Sequence, residues 1–455
     1  MKNSSLLKLI LTLLAVTTVL ALTSCDMLWQ DAVKKRQEAL GVVYEVSLDG
    51  TYAEVVDFTG NDTEVEIASE YQGLPVKKID NEAFKNKEKI TKVIIPDSIT
   101  AIGYGAFQNC VGLTSIDIPK SVTTISDFAF CGCTKLTSID IPSSVTSIGN
   151  GAFKDCSRIA KITLQNAAVY IGDFVFYGCN SILFTKYENG TYVCANDNPY
   201  AILTGVTDRK LSTYKVNENT EIIAHGVFKD CEELTEITIP ESVSILCSYA
   251  FYGCSKLTEI TIPDSVKHIG SYAFSECSKL TSVNIQNTVT SIGEGAFYEC
   301  SNLVNITLPD SLTAINRYLF YKCHKLTDIT IPSSVTVISN HAFHGCSSLH
   351  RISIPNSVAH IGIYAFSECS SITEITISNS VTKISEGAFY NCYNLINITI
   401  PSSVTSIDKD AFKSCVKIEN VYYTGSYEEW LNIKVGDNNS RLISARTHYN
   451  HISEE

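Results

Sequence analysis

Cys254-Ser-Lys-Leu-Thr-Glu-Ile-Thr-Ile-Pro-Asp-Ser-Val-Lys-His-Ile-Gly-Ser-Tyr-Ala-Phe-Ser-Glu276 is one copy of the sequence unit that decides the fold. Its apolar residues Leu257, Ile260 and Ile262 follow an L-x-x-I-x-I spacing, and the final alternation is typical of a short strand. Pro263 ends that strand because it lacks a backbone donor. One unit has too few apolar residues to close a core alone, so the pattern predicts stacked coils with one continuous core.

The unit recurs with a period of 23 residues, which its phenylalanines mark. Every step between them is 23 except one of 52, and the positions are Phe84, Phe107, Phe130, Phe153, Phe176, Phe228, Phe251, Phe274, Phe297, Phe320, Phe343, Phe366, Phe389 and Phe412. All but the first are followed three residues later by a cysteine, at Cys110, Cys133, Cys156, Cys179, Cys231, Cys254, Cys277, Cys300, Cys323, Cys346, Cys369, Cys392 and Cys415. This regularity predicts one column of rings and one column of thiols.

The 52-residue step contains one more coil and an insertion. The offsets of Leu211, Tyr214 and Ile223 fit a coil that has Gly205 in place of phenylalanine. The preceding unit is then six residues too long, and Asn-Gly between apolar-aromatic runs is a strong hairpin signal. We therefore expect a small hairpin protruding from the solenoid near residues 183–196.

The L-x-x-I-x-I strand and the A-F-x-x-C corner resemble the BspA-like, or Treponema pallidum-type, leucine-rich repeat over residues 81–417. The resemblance implies a repeat solenoid, a right-handed leucine-rich-repeat β-solenoid or horseshoe of about fifteen coils with short strands. Residues 41–80 are expected to form an N-terminal β-rich cap and residues 418–455 a C-terminal cap. In the latter, Ser426 and Glu429 match a capping box, which would lay Trp430 and Leu431 over the last coil.

The N-terminus has the pattern of an export signal. Two lysines precede an apolar run that stops at Leu22-Thr-Ser-Cys25 and is too short for a transmembrane helix. The pattern resembles a bacterial lipobox, which implies removal of residues 1–24 and acylation of Cys25. Residues 25–40 would then be the lipidated cysteine and a tether. We expect an exported protein anchored by lipid in the bacterial envelope, at the outer membrane or cell surface, and touching the membrane through this anchor only.

Charge and composition exclude several classes of function. The formal net charge is −13, and removal of residues 1–24 leaves 33 basic against 48 acidic residues, or −15. Nucleic acids and anionic membranes require dense positive charge, so neither is an expected partner. The serines recur with the repeat instead of forming one unique constellation, and no phosphate loop or nucleophile elbow is present. We therefore expect no enzyme activity and no cofactor.

The repeated cysteines and the histidines have simple structural interpretations. Parallel side chains on one ladder rarely reach disulfide geometry, so we expect buried free thiols. The cysteines off the ladder, whose redox state the sequence leaves open, are Cys131, Cys194 and Cys247. No zinc-type C-x-x-C pair occurs. Four histidines, His341, His344, His350 and His360, fall within 20 residues, but they lie on different sides of the coil, so surface positions are expected and no metal site.

Two rows of side chains are candidates for binding. The first is a row of hydroxyls on the strand face: Thr238, Thr261, Thr307, Thr330, Thr376 and Thr399. The second is a tyrosine stripe beside the corner phenylalanine: Tyr177, Tyr249, Tyr252, Tyr272, Tyr298, Tyr318, Tyr321, Tyr364 and Tyr390. Exposed tyrosines supply rigid amphipathic area, which favours protein binding. Alternatively, each tyrosine covers the seam between two coils.

The sequence therefore favours a non-enzymatic, cell-surface protein-binding module. The family resemblance implies adhesion to host matrix proteins or to other cells, so the expected partner is an extracellular or host protein. A passive scaffolding lipoprotein of the envelope is the alternative, and an enzyme or metal site is the remote one.

Overall fold

The computed structural model describes residues 41–165, 170–182, 184–195 and 198–452. The expected signal, Cys25 and the tether lie outside these residues. Contacts divide the chain into a first unit that ends at Leu183 and a second unit that begins at Phe184. Each unit is a stack of coils, so the predicted leucine-rich-repeat solenoid is confirmed. Together they contain about 17 turns of ~23 residues.

Each complete coil has two short strands joined by turns, which we call the A strand and the B strand. The first unit opens with strands β1 (Val42–Val46), β2 (Ala53–Phe58), β3 (Glu64–Glu66), β4 (Glu70–Tyr71) and β5 (Leu74–Ile79). Its A strands are β6 (Lys92–Ile94), β8 (Ser115–Ile116), β10 (Ser138–Ile141) and β12 (Lys161–Leu164). Its B strands are β7 (Ala101–Ile102), β9 (Thr124–Ile125), β11 (Ser147–Ile148) and β13 (Tyr170–Ile171).

The second unit opens with three antiparallel strands, β14 (Phe184–Tyr187), β15 (Gly190–Ala195) and β16 (Asn198–Val206). Its A strands are β17 (Thr213–Lys215), β19 (Glu236–Thr238), β21 (Glu259–Thr261), β23 (Ser282–Asn284), β25 (Asn305–Thr307), β27 (Asp328–Thr330), β29 (Arg351–Ser353), β31 (Glu374–Thr376), β33 (Asn397–Ile400), β35 (Asn420–Tyr423) and β37 (Arg446–His448). Its B strands are β18 (Ile222–Ile223), β20 (Ile245–Leu246), β22 (His268–Ile269), β24 (Ser291–Ile292), β26 (Ala314–Ile315), β28 (Val337–Ile338), β30 (His360–Ile361), β32 (Lys383–Ile384), β34 (Ser406–Ile407) and β36 (Lys434–Val435).

Strands of neighbouring coils pair in parallel at equivalent positions of the repeat. Ile260 of β21 lies opposite Val283 of β23, for example, and Ile269 of β22 opposite Ile292 of β24. In three-residue A strands such as β21, the middle residue points inward and its neighbours point outward. This alternation follows from the period of two in a strand.

The core contains the two predicted columns. The phenylalanine rings of successive coils stack almost parallel, with centroids 5.2 Å apart for the pair Phe251 and Phe274 and an angle of 1°. In the added coil Tyr214 takes over this role and contacts Phe228 edge-on at 5.0 Å. The ring column therefore continues through the coil that lacks phenylalanine.

The thiol column is buried and free, as predicted. Each ladder thiol except that of Cys231, whose preceding coil has no phenylalanine, donates to the carbonyl oxygen of the phenylalanine one coil earlier, as Cys277 does to Phe251 at 3.2 Å. Burial raises the pKa of the Cys110 and Cys179 thiols to about 12. Off the ladder, Cys194 is exposed, Cys131 is half-buried, and Cys247 is buried beside the B strand.

The insertion and the C-terminal segment differ from expectation in detail. Strands β14 and β15 form a hairpin, but it does not simply protrude, since Tyr192 of β15 is fully buried and its hydroxyl contacts that of Tyr214 at 3.1 Å. In the C-terminal segment, helices α1 (Tyr427–Leu431) and α2 (Ser440–Ser444) accompany the last strands, and the capping box at α1 is confirmed. Trp430 packs on the core, whereas Leu431 is 63% exposed and covers nothing.

Candidate functional site

At the corner of each coil, the backbone adopts an unusual conformation. Two residues before the phenylalanine, the chain takes a left-handed φ, at +57° in Tyr249, +54° in Tyr272, +57° in Tyr318 and +53° in Tyr364. Few residues other than glycine adopt this region. A second left-handed residue follows two positions after the phenylalanine, as at Glu276 with +61°. The tight double bend presents the tyrosine and the residue three positions later on one outer surface.

These side chains form one continuous network in the second unit, which we call the aromatic stripe. Neighbouring rings have centroid separations between 4.7 and 6.3 Å. The stripe consists of Tyr249, Tyr252, Tyr272, Tyr298, Tyr318, Tyr321, His341, His344, Tyr364 and Tyr390, all half-buried. The structure thus brings together eight of the nine predicted tyrosines. The ninth, Tyr177, lies in the first unit, is 63% exposed and contacts Phe174.

Two histidines complete the stripe, where they lie half-buried at the surface of the coils. His341 stacks between Tyr318 at 5.1 Å and Tyr364 at 5.4 Å, and His344 stacks on Tyr321 at 4.7 Å. They occupy the same two repeat positions as the tyrosines, and this shared register was the signal in the sequence. His350 and His360 are both exposed. His350 directly precedes the A strand β29, and His360 is the first residue of the B strand β30. Among the described residues, no group of three or more potential metal ligands is present.

The rings also cover the seams between coils. A Cβ atom on Gly295 would lie 2.4 Å from Cε1 of Tyr272, and one on Gly387 would lie 2.2 Å from Cε1 of Tyr364. Each of these rings therefore rests on a bare backbone of the next coil. The seam-covering interpretation is consistent with these contacts, but part of every ring remains accessible to a partner.

Charged side chains hold the ring hydroxyls and faces in place. Tyr272 donates to the Glu294 carboxylate at 3.1 Å, and the hydrogen bond of Tyr252 to Glu276, together with burial, raises the pKa of Tyr252 to about 12. Cations lie over the rings, with Arg317 4.6 Å from the centroid of Tyr318. Such contacts stabilise a ring position by roughly 0.5–1 kcal/mol at exposed sites. The stripe is therefore ordered before any partner arrives.

An acidic groove runs beside the stripe. It has a volume of about 450 Å³, and its acidic lining residues are Asp230, Glu232, Glu276 and Glu299. Lys322 and His324 line it too, and Lys322 forms an ion pair with Glu299 at 3.0 Å. The excess of carboxylates favours a partner surface that carries basic residues.

The hydroxyl row lies on the A-strand face, away from the corner. Thr238, Thr261, Thr307, Thr330 and Thr376 are exposed, and Thr399 is half-buried. Opposite residues within a ladder align, as Thr376 and Thr399 do. The row is polar and shallow along most of its length.

Lowering the pH is expected to destabilise the second unit through the stripe histidines. Burial lowers the pKa of both histidines. The charges of His344 and Arg317 lower the pKa of His341 further. For His344, the carboxylate of Glu368 opposes the shift, whereas Lys322 and His324 add to it. An unfolded histidine has a pKa of about 6.5, so the unfolded chain binds protons first. The two histidines therefore contribute their full stabilisation above about pH 6.5, and this contribution is lost as the pH falls below that value.

The measurement is the urea midpoint between pH 7.5 and 5.5, a window that lies above the usual carboxylate range. We expect the double change His341→Gln and His344→Gln to flatten the dependence, whereas His360→Gln, on an exposed side chain, leaves it unchanged. A residual slope is expected from His268, whose pKa burial also lowers. Equal slopes in the wild type and the double variant would contradict this account.

Comparison with known proteins places this fold in a family. The profile of the BspA type leucine rich repeat region matches in six copies, over residues 77–196, 207–327 and 313–432. These ranges cover well over half of the chain, so the protein belongs to the BspA-type leucine-rich repeat family. A search among curated proteins gave no match. No helix within the described residues is long and apolar enough to cross a membrane.

Three solved structures illustrate the similarity. A leucine rich cell surface protein from Faecalibacterium prausnitzii is 27% identical, with a TM-score of 0.36 over 87% of this chain and 96% of that one. A leucine-rich repeat protein from Bacteroides ovatus is 24% identical, with a TM-score of 0.36 over 90% and 98%. The leucine rich repeat protein of T. pallidum is 20% identical, with a TM-score of 0.28 over 58% and 89%.

Proposed function

We propose that this protein is a non-enzymatic binding module, displayed at the bacterial surface by an acylated Cys25, whose aromatic stripe contacts an extracellular protein during adhesion. The observation that carries the proposal is the continuous, part-exposed ring network from Tyr249 to Tyr390. Aromatic residues are enriched at protein interfaces, and tyrosine is a frequent hot spot. Repeated coils extend such a surface over many weak contacts.

The charge around the aromatic stripe limits the kind of partner that can bind. The acidic groove and the net charge of −13 both favour a basic protein surface and oppose an acidic one. The rings are held by ion and hydrogen-bond contacts already, so binding orders few side chains. A low ordering cost favours affinity for a rigid site.

The seam contacts favour a second candidate, a passive spacer in the envelope. The rings of Tyr272 and Tyr364 lie directly on the glycines of the next coil, which gives them a structural role without any partner. In that case their replacement changes stability and nothing else.

The test uses the full chain in a detergent without sugar groups, with immobilised matrix proteins and intact cells as targets. The stripe variant carries Tyr298→Ser, Tyr318→Ser and Tyr321→Ser, and its matched control carries Thr261→Ala, Thr307→Ala and Thr330→Ala on the strand face. We expect the stripe variant to bind at least about 100-fold more weakly, since each hot-spot ring contributes about 2 kcal/mol or more. The control is expected to bind like the wild type.

Circular dichroism checks that both variants remain folded. Loss of binding in the threonine variant alone would move the site to the strand face. Absence of saturable binding by the wild type to every target would favour the passive spacer. Labelled palmitate incorporated into the wild type, and missing from Cys25→Ser, tests the anchor separately.

A further inference from the structure

The hydroxyl row ends in a step near the C-terminus of the second unit. Thr376 lies opposite Thr399, Thr399 opposite Tyr422, and Tyr422 opposite His448. A small side chain is thus followed by a ring in the next coil, and the ring stands above the row. The corner between them is the end of a groove of about 770 Å³, within the range of small-molecule sites.

The ring at this step contacts two histidines. Tyr422 stacks on His448 with centroids 4.9 Å apart and an angle of 15°. On the other side of the ring lies Thr399, which is opposite Tyr422 in the ladder and lines the groove with it. His451 lies 4.8 Å from the ring at an angle of 43° and lines the same groove. The step therefore offers an aromatic wall above a polar floor.

A chain of hydrogen bonds orients the amide beside this wall. Nε2 of His448 contacts Oδ1 of Asn420 at 3.1 Å, and Nδ2 of Asn420 donates to Oδ1 of Asn397 at 3.0 Å. Asn397 lines the groove, and its oxygen is taken, so its Nδ2 group supplies the free donors. Its register partner Glu374 supplies a carboxylate acceptor at the adjacent floor position.

The floor crosses a seam between two coils. Strand β29 pairs with β27 and β31 pairs with β33, but within the described chain β29 and β31 form no ladder, and neither do β30 and β32. At the second seam Ser385 Oγ, instead of a backbone N–H, donates to the carbonyl of Ile361. On the corner side the coils remain joined, since Phe366 N donates to Ala388 O at 2.8 Å. On the groove side the two coils are joined through Asn356 instead, whose carbonyl oxygen accepts from Ser380 Oγ at 2.6 Å and whose Oδ1 accepts from Asn379 N at 3.5 Å.

The remaining lining residues are uncharged, some polar and some apolar, and the apolar ones are Ile352, Ile354, Pro355, Ile375 and Ile377. Asn356 and Asn379 follow strands β29 and β31 at the side of the groove, and Ser353, Thr376 and Thr399 contribute hydroxyls. Glu374 is the one carboxylate among the described lining residues, and no lysine or arginine is among them. Such a surface suits a neutral ligand with many hydroxyls and an apolar C–H face, and opposes an anion.

We propose that this groove binds a neutral saccharide, with one pyranose ring against the aromatic wall of Tyr422 and His451 and its hydroxyls bonded to Asn397 and Glu374. The site is separate from the aromatic stripe. Its failure would leave the proposed protein binding untouched, and the reverse also holds.

The probes are maltotriose, cellotriose and triacetylchitotriose, with 3′-sialyllactose as an anionic comparison. Binding to the full chain, in a detergent without sugar groups, is measured by saturation-transfer NMR and calorimetry. We expect saturable binding of at least one neutral trisaccharide, and weaker or no binding of the sialylated one. Tyr422→Leu and Asn397→Leu are each expected to weaken binding at least about tenfold.

Tyr321→Ser on the stripe is the matched control and is expected to bind the trisaccharide unchanged. If circular dichroism shows that Tyr422→Leu disturbs the fold, Thr399→Val takes its place. This variant removes one hydroxyl at constant shape and is expected to weaken binding. Absence of saturable binding to all three neutral sugars overturns the proposal. So does binding that both groove variants retain, or a groove that takes extended peptides and no sugar.

Discussion

Replacing Phe297 by Ala is expected to lower the free energy of unfolding by about 3–5 kcal/mol. The side chain is fully buried, with its ring 5.5 Å from that of Phe274 and 5.9 Å from that of Phe320. Its removal leaves a cavity that the two neighbouring rings cannot close, because each is fixed in its own coil by the same stacking. The carbonyl of residue 297, which accepts the thiol of Cys323, remains, so the effect comes from the ring.

Urea unfolding followed by circular dichroism measures this effect. The control is Phe174→Ala, since Phe174 is 50% exposed and outside the ring column. We expect it to cost less than about 1 kcal/mol. Because solenoid units couple to their neighbours, Phe297→Ala should also broaden the transition. Equal losses for the two variants would show that the column contributes no special stability.

Deleting half a coil is expected to abolish cooperative folding of the second unit, whereas deleting a whole coil preserves it. Removal of residues 254–276 joins Gly253 to Cys277, and the chain continues in the same register with the same Cys-Ser-Lys-Leu-Thr sequence. Phe251 then meets Phe297 across one interface of the same kind. Removal of residues 254–265 eliminates the A strand β21 but keeps the B strand β22, so β23 loses its ladder partner on that side and the coil cannot close.

Thermal and urea transitions of the two deletions, followed by circular dichroism, give the comparison. The 23-residue deletion should retain a single cooperative transition close to that of the wild type. The 12-residue deletion should show no transition or should aggregate, because unpaired strands expose ladder donors and acceptors. Comparable transitions in both would mean that the coil is not the folding unit.

The sequence was sufficient for most of the core because its columns repeat in register, apart from Gly205 in the phenylalanine column and Lys87 in the cysteine column. Phe251 and Cys254 identify the corner of their coil, and the period alone places Phe274 and Cys277 above them. The conformation of Tyr272 was not predictable in the same way, since nothing in a tyrosine codes for a left-handed φ. The one hint of this conformation was that glycine occupies the same repeat position in the next coil, at Gly295.

The aromatic stripe was predicted in part, for a related reason. A stripe defined by tyrosine alone leaves out His341 and His344, although the same two repeat positions hold either a tyrosine or a histidine ring. The position of Cys247 depended on the turn after a two-residue B strand, where side chains point either way. Leu431 sits on a five-residue helix whose docking depends on Tyr423 and Trp430 in three dimensions. No period governs such end segments.

The interface between coils also determines how a tethered chain responds to pulling. The side-chain hydrogen bonds that join coils connect residues 22 to 26 positions apart, such as Thr290 to Lys267 and Cys300 to Phe274. A force applied at the ends of the second unit therefore loads the coils one after another. Each coil that detaches releases 23 residues, or about 80 Å of extended chain. Under the proposed adhesive function, a cell held through this protein would lengthen its link stepwise under shear, and each added length lowers the tension on the bond to the partner.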